Sequence, residues 1–165
     1  DVLINIAKEM QESNFGLFEI DIYGDYVNIE YQNEVSNLIR KYHLDNKIKF
    51  RGFKNFHKIE SSKYNVYIHT SKKPEPFGRT IIESMNFGIP VCATSMGGVL
   101  DIINHMENGI LYHHKDYQKL IPLLIKLKSN IDFKNKLISN AKETIDEKFS
   151  GNFQIKLIEE VYERI

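Results

Sequence analysis

The chain has 165 residues, 42% hydrophobic and 27% charged, which suits one globular domain with its own core and excludes disorder or two complete catalytic domains. Lysine plus arginine total 22 and aspartate plus glutamate total 22, so no global basic field points to nucleic acid and an anionic ligand must be held locally. The single Cys92 excludes a disulfide framework or a cysteine-rich zinc site, no apolar run nears the ~20 residues of a membrane span, and the opening DVLINIAKEM lacks a signal-peptide pattern. A cytoplasmic protein is expected.

Helical spacing alternates with short β-branched runs, the pattern of βα units that build a parallel sheet. Residues 1–12 predict a helix with Val2, Leu3, Ile6 and Met10 on one face, ended by a turn at Ser13, Asn14 and Gly16. Residues 18–23 and 48–50 predict buried strands running into Gly24 and Gly52, joined by a crossover helix over 29–42 that carries Val35, Leu38, Ile39 and Tyr42. A third strand, 66–69, leads into the loop 70–77, a helix over 79–86, and Gly88 where a left-handed helix terminus is wanted. Strand 90–94 begins on Pro90, where it costs no ladder bond; Gly97 and Gly98 open a helix through Ile103; a fifth strand covers 109–112. Helices are predicted over 117–128, 133–149 and 152–164, and without repeats or linkers residues 1–165 form one domain.

The chemistry concentrates in Lys73-Pro74-Glu75-Pro76-Phe77-Gly78-Arg79-Thr80-Ile81-Ile82-Glu83-Ser84-Met85. Glu75 falls in the loop after a strand and Glu83 about two turns into the next helix. Gly78 at the junction allows close approach to a ligand, and the amides of Gly78, Arg79 and Thr80 are expected to point out of the helix start. Free amides and the positive end of a helix dipole together favour a phosphate or diphosphate. A carboxylate accepts two hydrogen bonds side by side, so Glu83 suits the vicinal hydroxyls of a ribose, and Glu75 suits hydroxyls at the far end of the same ligand. In open parallel sheets such a ligand lies beyond the carboxyl ends of the strands, where this loop begins.

These residues resemble a family. The stretch from Val66 to Tyr112, with PEPFGRTIIESMNFGIPV followed by ATSMGGVLDIINHMENGILY, is similar to the C-terminal, nucleotide-sugar-binding half of the retaining glycosyltransferases of the GT-B fold, family four (group 1). Weaker similarity reaches Tyr23-Gly24-Asp25 and Phe50-Arg51-Gly52-Phe53. The resemblance implies an α/β fold, a Rossmann-like parallel sheet flanked by helices that forms one half of a GT-B enzyme. It implies that Glu75 binds the transferred hexose and stabilises its oxocarbenium-like transition state, with the Phe77 and Gly78 amides against the sugar. Thr80 and its neighbours would hold the diphosphate, Glu83 the ribose, and the backbone near Gly52 and Phe53 the nucleobase. The donor is a nucleotide-diphosphate sugar, without a further cofactor or metal, and the acceptor a glycan or lipid, with peripheral membrane contact possible.

Two family features are missing. The first is an opening strand with a glycine-rich loop bearing an arginine and a lysine; the expected strand order then leaves a slot between the Phe18 and Val66 strands, closed by direct pairing or by another chain. The second is the N-terminal acceptor domain, so the 165 residues alone are expected to show little transferase activity. A non-catalytic nucleotide or sugar-phosphate binding module and a GT-B-like sugar-nucleotide epimerase or phosphorylase are the alternatives, since one architecture hosts many reactions.

Blander readings compete at each position. Glu75 and Glu83 resemble a glycosidase pair only if their carboxyl separation fits one bond. Gly97 and Gly98 are a helix-entry turn or line the donor pocket with their amides. Arg79 is a salt-bridged helix residue or reaches a phosphate; Lys72 and Lys73 are solvated or replace the absent cations. His69 is a hydrogen-bonded structural histidine or touches the ligand. His113, His114 and Asp116 lack the further ligands a metal needs, Cys92 belongs to the core, and the lysines 119, 126, 128, 134 and 136 are interrupted by Asp132, Glu143, Asp146 and Glu147, which favours a solvated face.

Overall fold

A computed structural model of the chain describes residues 1–13, 15–24, 28–55 and 58–149; the expected helix over 152–164 lies outside the described residues. Helix α1 spans Val2–Glu12 and strand β1 Ile20–Tyr23. Helix α2, Ile29–Lys41, is capped by Asn28, whose side chain accepts from the Glu30 amide, and has Arg40 and Lys41 in its last turn, where cations suit the helix dipole. Strand β2, Ile48–Gly52, a 3-10 turn at Ser61–Lys63 and strand β3, Tyr67–His69, lead to helix α3, Arg79–Asn86, on the predicted residues. Strand β4 is Val91–Thr94, helix α4 is the single turn Val99–Ile102 rather than a helix through Ile103, and strand β5 is Ile110–Tyr112. A 3-10 turn at Tyr117–Lys119 precedes α5, Leu120–Ser129, whose Pro122 sits in the first turn, where its missing N–H removes no helix bond. Helix α6, Ile131–Lys148, starts where the Asn130 side chain accepts from the Phe133 amide.

The strands form two parallel sheets, β1-β2 and β3-β4-β5, and β1 does not pair with β3. Of the two closures expected between these strands, direct pairing is thus not made. Within the larger sheet, Ile68 lies opposite Cys92 and Cys92 opposite Ile110. The period of two then sorts side chains by face. Cys92, Ile110 and Tyr112 join a cluster with Val2, Ile6 and Met10 of α1 and Leu120, Leu124 and Leu127 of α5. Val91 and Ala93 join the opposite cluster with Ile81 and Met85 of α3, Ile102 of α4 and Ala141 and Ile145 of α6.

Sheet β1-β2 is covered on one face, where Ile48 packs with Val35 and Ile39 of α2 and with Ile4 and Ala7 of α1. Helix α1 thus contributes to the cores of both sheets. The other face is polar: the Arg51 guanidinium lies 2.9 Å from Asp21 and Lys49 lies 2.7 Å from Glu19. Tyr64, just before β3, joins this face by donating its hydroxyl to Asp21 at 2.7 Å and meeting the Tyr23 hydroxyl at 2.6 Å. Burial pushes the Asp21 carboxyl up, but the Tyr64 hydrogen bond and the Arg51 guanidinium outweigh it and hold the group below its ordinary value.

Candidate functional site

The site is built where β3, β4 and their following loops meet. Glu75 lies in the loop leaving β3, and a β-bridge pairs it with Gly97 in the loop leaving β4. The Gly98 amide donates to the Glu75 carbonyl at 2.7 Å. This approach demands glycine: a Cβ on Gly97, which has φ +65°, would fall 2.5 Å from the Glu75 carbonyl oxygen, and one on Gly98 would fall 2.6 Å from that of Pro76. The turn that enters α4 thereby also clamps the Glu75 loop, and the Gly98 amide is spent on that clamp.

Gly78 is the residue before α3 and adopts the left-handed conformation, φ +81°. Its amide donates to Glu75 Oε1 at 3.1 Å, so of the amides expected to point outward, this one is bonded within the protein. The amides of Phe77, Arg79 and Thr80 make no hydrogen bond among the described residues. Glu75 is therefore fixed at its carbonyl by Gly98 and at one carboxylate oxygen by Gly78, beside free donors that begin a helix.

The other predicted residues stand around this start. Thr80 places its hydroxyl 2.9 Å from that of Tyr67; burial pushes the Tyr67 phenol up, and the nearby Glu75 and Glu83 add to the effect. Glu83 pairs with the Arg79 guanidinium at 3.1 Å, with side-chain exposures of 20% for Glu83 and 82% for Arg79. The ion pair expected of Arg79 is thus formed, on an outer face. The Phe77 ring is exposed and meets Phe149 edge-on, 6.3 Å between centroids. His69 ends β3 with Nε2 3.5 Å from Glu75 Oε2 and Nδ1 3.3 Å from the Thr94 hydroxyl, while its carbonyl accepts from the Tyr112 hydroxyl at 2.9 Å. Burial pushes the His69 imidazole down, against the opposing pull of Glu75.

Other features fall elsewhere. Gly52 and Phe53 stand exposed at the carboxyl end of β2, on the other sheet; the Gly52 carbonyl accepts from Gly24 at 3.1 Å. An open hollow between α2 and β2, lined by Ser36, Ile39, Arg40, Asp45, Ile48 and Phe50, carries none of the predicted site residues. Lys72 is paired with the Asp1 carboxylate and Lys73 is exposed. His113 and His114 stack on one another at 4.6 Å, and among the described residues no group of His, Cys, Asp and Glu is placed to hold a metal ion. Cys92 is buried, which pushes its thiol up and keeps it unreactive. Lys126 covers the Phe133 ring at 4.2 Å and Lys119 pairs with Asp116 at 3.0 Å. Among the described residues no helix is long and apolar enough to cross a membrane.

Sequence reasoning did not single out Tyr67, Thr94 or Tyr112, whose hydroxyls meet Thr80, His69 Nδ1 and the His69 carbonyl. A signal existed for Thr94, a hydroxyl ending an otherwise apolar strand. Which ring nitrogen it meets is set by the pairing of β3 with β4, which no single segment encodes.

Residues 1–144 match the family described as Glycosyl transferases group 1. An uncharacterized glycosyltransferase of Methanocaldococcus jannaschii is 34% identical over 88 residues, 53% of this chain and 23% of that protein. A sucrose-phosphate synthase of Zea mays is 33% identical over 99 residues, 56% of this chain and 9% of that protein. The Anabaena protein HepE, solved in complex with UDP, superposes with a TM-score of 0.88 at 26% identity, covering 99% of this chain and 44% of HepE; HepE has also been solved with UDP-glucose, at a TM-score of 0.84 and 25% identity over 99% of this chain and 44% of HepE. The chain thus spans less than half the length of these proteins, and its α/β architecture of parallel sheets between helices matches that of HepE.

Proposed function

Because the chain belongs to the group 1 glycosyl transferases, we propose that it forms the donor-binding half of an enzyme that transfers a hexose, with retention, from a nucleotide-diphosphate sugar to a glycan or lipid acceptor. The observation that carries this reading is the start of α3, where the Arg79 and Thr80 amides make no hydrogen bond among the described residues, between two carboxylates, Glu75 and Glu83. Such a turn attracts a diphosphate without net charge on the domain. The bond to break joins the anomeric carbon to a phosphate oxygen, and the bond to form joins that carbon to an acceptor hydroxyl oxygen, whose proton passes to the departing diphosphate. As the old bond lengthens, negative charge grows on the diphosphate and positive charge on the sugar ring. The free amides offset the first and Glu75 the second. Glu83, on releasing Arg79, accepts from the ribose hydroxyls. The bound UDP and UDP-glucose of HepE make a uridine-diphosphate sugar the first donor to try.

Calorimetry on the full-length protein with UDP-, GDP- and ADP-sugars tests this. One of them should bind, and Glu83→Ala should weaken it about 10- to 100-fold, the value of a charge-assisted pair of hydrogen bonds. Glu75→Ala should lower kcat by about 100-fold and donor affinity far less. Binding by none, or affinity indifferent to Glu83→Ala, contradicts the reading.

A further inference from the structure

We propose that His69 is a positioning residue for Glu75, and that Thr94 sets the imidazole tautomer which lets it act; this rests on the reading of Glu75 as the group that meets the sugar. The ends of β4 and β5 and the loop after β3 converge on His69. Its carbonyl is fixed from β5 by the Tyr112 hydroxyl at 2.9 Å, its Nδ1 lies 3.3 Å from the Thr94 hydroxyl of β4, and its Nε2 lies 3.5 Å from Glu75 Oε2. The contacts form a chain from Thr94 through His69 to Glu75.

The direction of that chain follows from burial. Thr94 is 1% exposed, and its hydroxyl has no other partner among the described residues. A buried hydroxyl proton needs an acceptor, and among the described residues His69 Nδ1 is the one partner within reach. Nδ1 therefore accepts, and a neutral imidazole must carry its proton on Nε2. That N–H faces Glu75 Oε2. The opposite tautomer would set a bare ring lone pair against a carboxylate and leave the Thr94 proton without an acceptor. Burial pushes the His69 imidazole below its ordinary value, against the pull of Glu75, which favours the neutral ring.

Both oxygens of Glu75 then have a neighbour: Oε1 accepts from the Gly78 amide at 3.1 Å, and Oε2 lies 3.5 Å from His69 Nε2. The first contact comes from the ligand-binding turn itself. The second comes from the sheet, so it orients the carboxylate independently of whatever occupies the start of α3. At 3.5 Å the contact is longer than a hydrogen bond, and this role requires it to shorten when substrate fills the site, as contacts in unliganded active sites often do. His69 need not touch the sugar.

In the full-length protein, His69→Leu should lower kcat roughly 10- to 100-fold, the effect of a misplaced reacting group, with the donor KM moving less than about threefold. His69→Gln, whose amide nitrogen reaches as far as Nε2, should restore most of the loss, and Thr94→Val should reproduce part of it, with Thr94→Ser as its rescue. In a Glu75→Ala background His69→Leu should cost nothing further, because it acts through Glu75. Losses that multiply in the double variant, or His69→Gln no better than His69→Leu, overturn the proposal. Should His69→Leu not fold, the nitrogen shifts of the wild-type imidazole decide: an Nε2-protonated ring is expected, and an Nδ1-protonated ring overturns the proposal. Glu75→Ala with full turnover overturns the reading of Glu75 and this role with it; a slow Glu75→Ala beside a fully active His69→Leu overturns this role alone.

Discussion

All of β4 is buried, whereas β1 is half-exposed along its length and β2 is buried only at Ile48. The sheet β3-β4-β5 has helices on both faces; β1-β2 has helices on one and, on the other, the Asp21, Arg51 and Tyr64 cluster. The candidate site belongs to the sheet with two covered faces. Packing from both sides leaves the loops after β3 and β4 little room, and backbone-to-backbone contacts such as Gly98 to Glu75 follow. A carboxylate held to a narrow range of positions is the result. The other sheet keeps its polar face through side-chain contacts, which yield more readily.

Two glycines with nearly equal backbone angles expose this difference most strongly. Gly97 has φ +65° with Glu75 backbone atoms 2.5 and 2.8 Å from a Cβ position, whereas Gly52 has φ +68° and nothing within 4 Å. Gly97→Ala must move the Glu75 loop and should cost upwards of about 3 kcal/mol or prevent folding. Gly52→Ala should cost only the left-handed backbone penalty, about 1 kcal/mol. Urea unfolding midpoints measure both, and equal losses would mean that the loop clamp is soft.

Tyr64→Phe comes next in size. It removes the hydroxyl that donates to Asp21 at 2.7 Å and should cost about 1 kcal/mol at neutral pH. Asp21 is held below its ordinary value of 3.8, so its contribution is present above that pH and is lost as pH falls through the lowered value. Midpoints of wild type and Tyr64→Phe should therefore converge in acid. The smallest effect belongs to the larger sheet. His69 is held below its ordinary value of 6.5, so the folded chain resists the proton that the unfolded chain accepts. Stability should be full above 6.5 and decline as pH falls through the lowered value, a slope that His69→Gln removes.

Much of this was legible in the sequence because it is local. Residues 79–86 have helical spacing behind a glycine and form α3 on those residues; Gly88 has the left-handed angle, φ +71°, that its position asked for. The carboxylates on either side of the helix start followed from position alone. What escaped depends on distant segments. Phe18 and Glu19 continue the apolar–polar alternation of β1 but have no ladder partner, so the strand begins at Ile20. The helix read after Gly98 shrinks to one turn because Ile103 is extended, and it packs into the core with Ile102. That Gly78 and Gly98 donate to Glu75 was equally unreadable, since a run of glycines shows freedom to approach but not what is approached.

The most direct test follows the backbone amides of this chain in proton–nitrogen correlation spectra as UDP-glucose is added. The account predicts saturable shifts centred on Arg79 and Thr80, with Glu75 and Glu83 neighbours following, and their loss on competition with UDP. Saturable binding that leaves the Arg79 and Thr80 amides unmoved while others shift would contradict it.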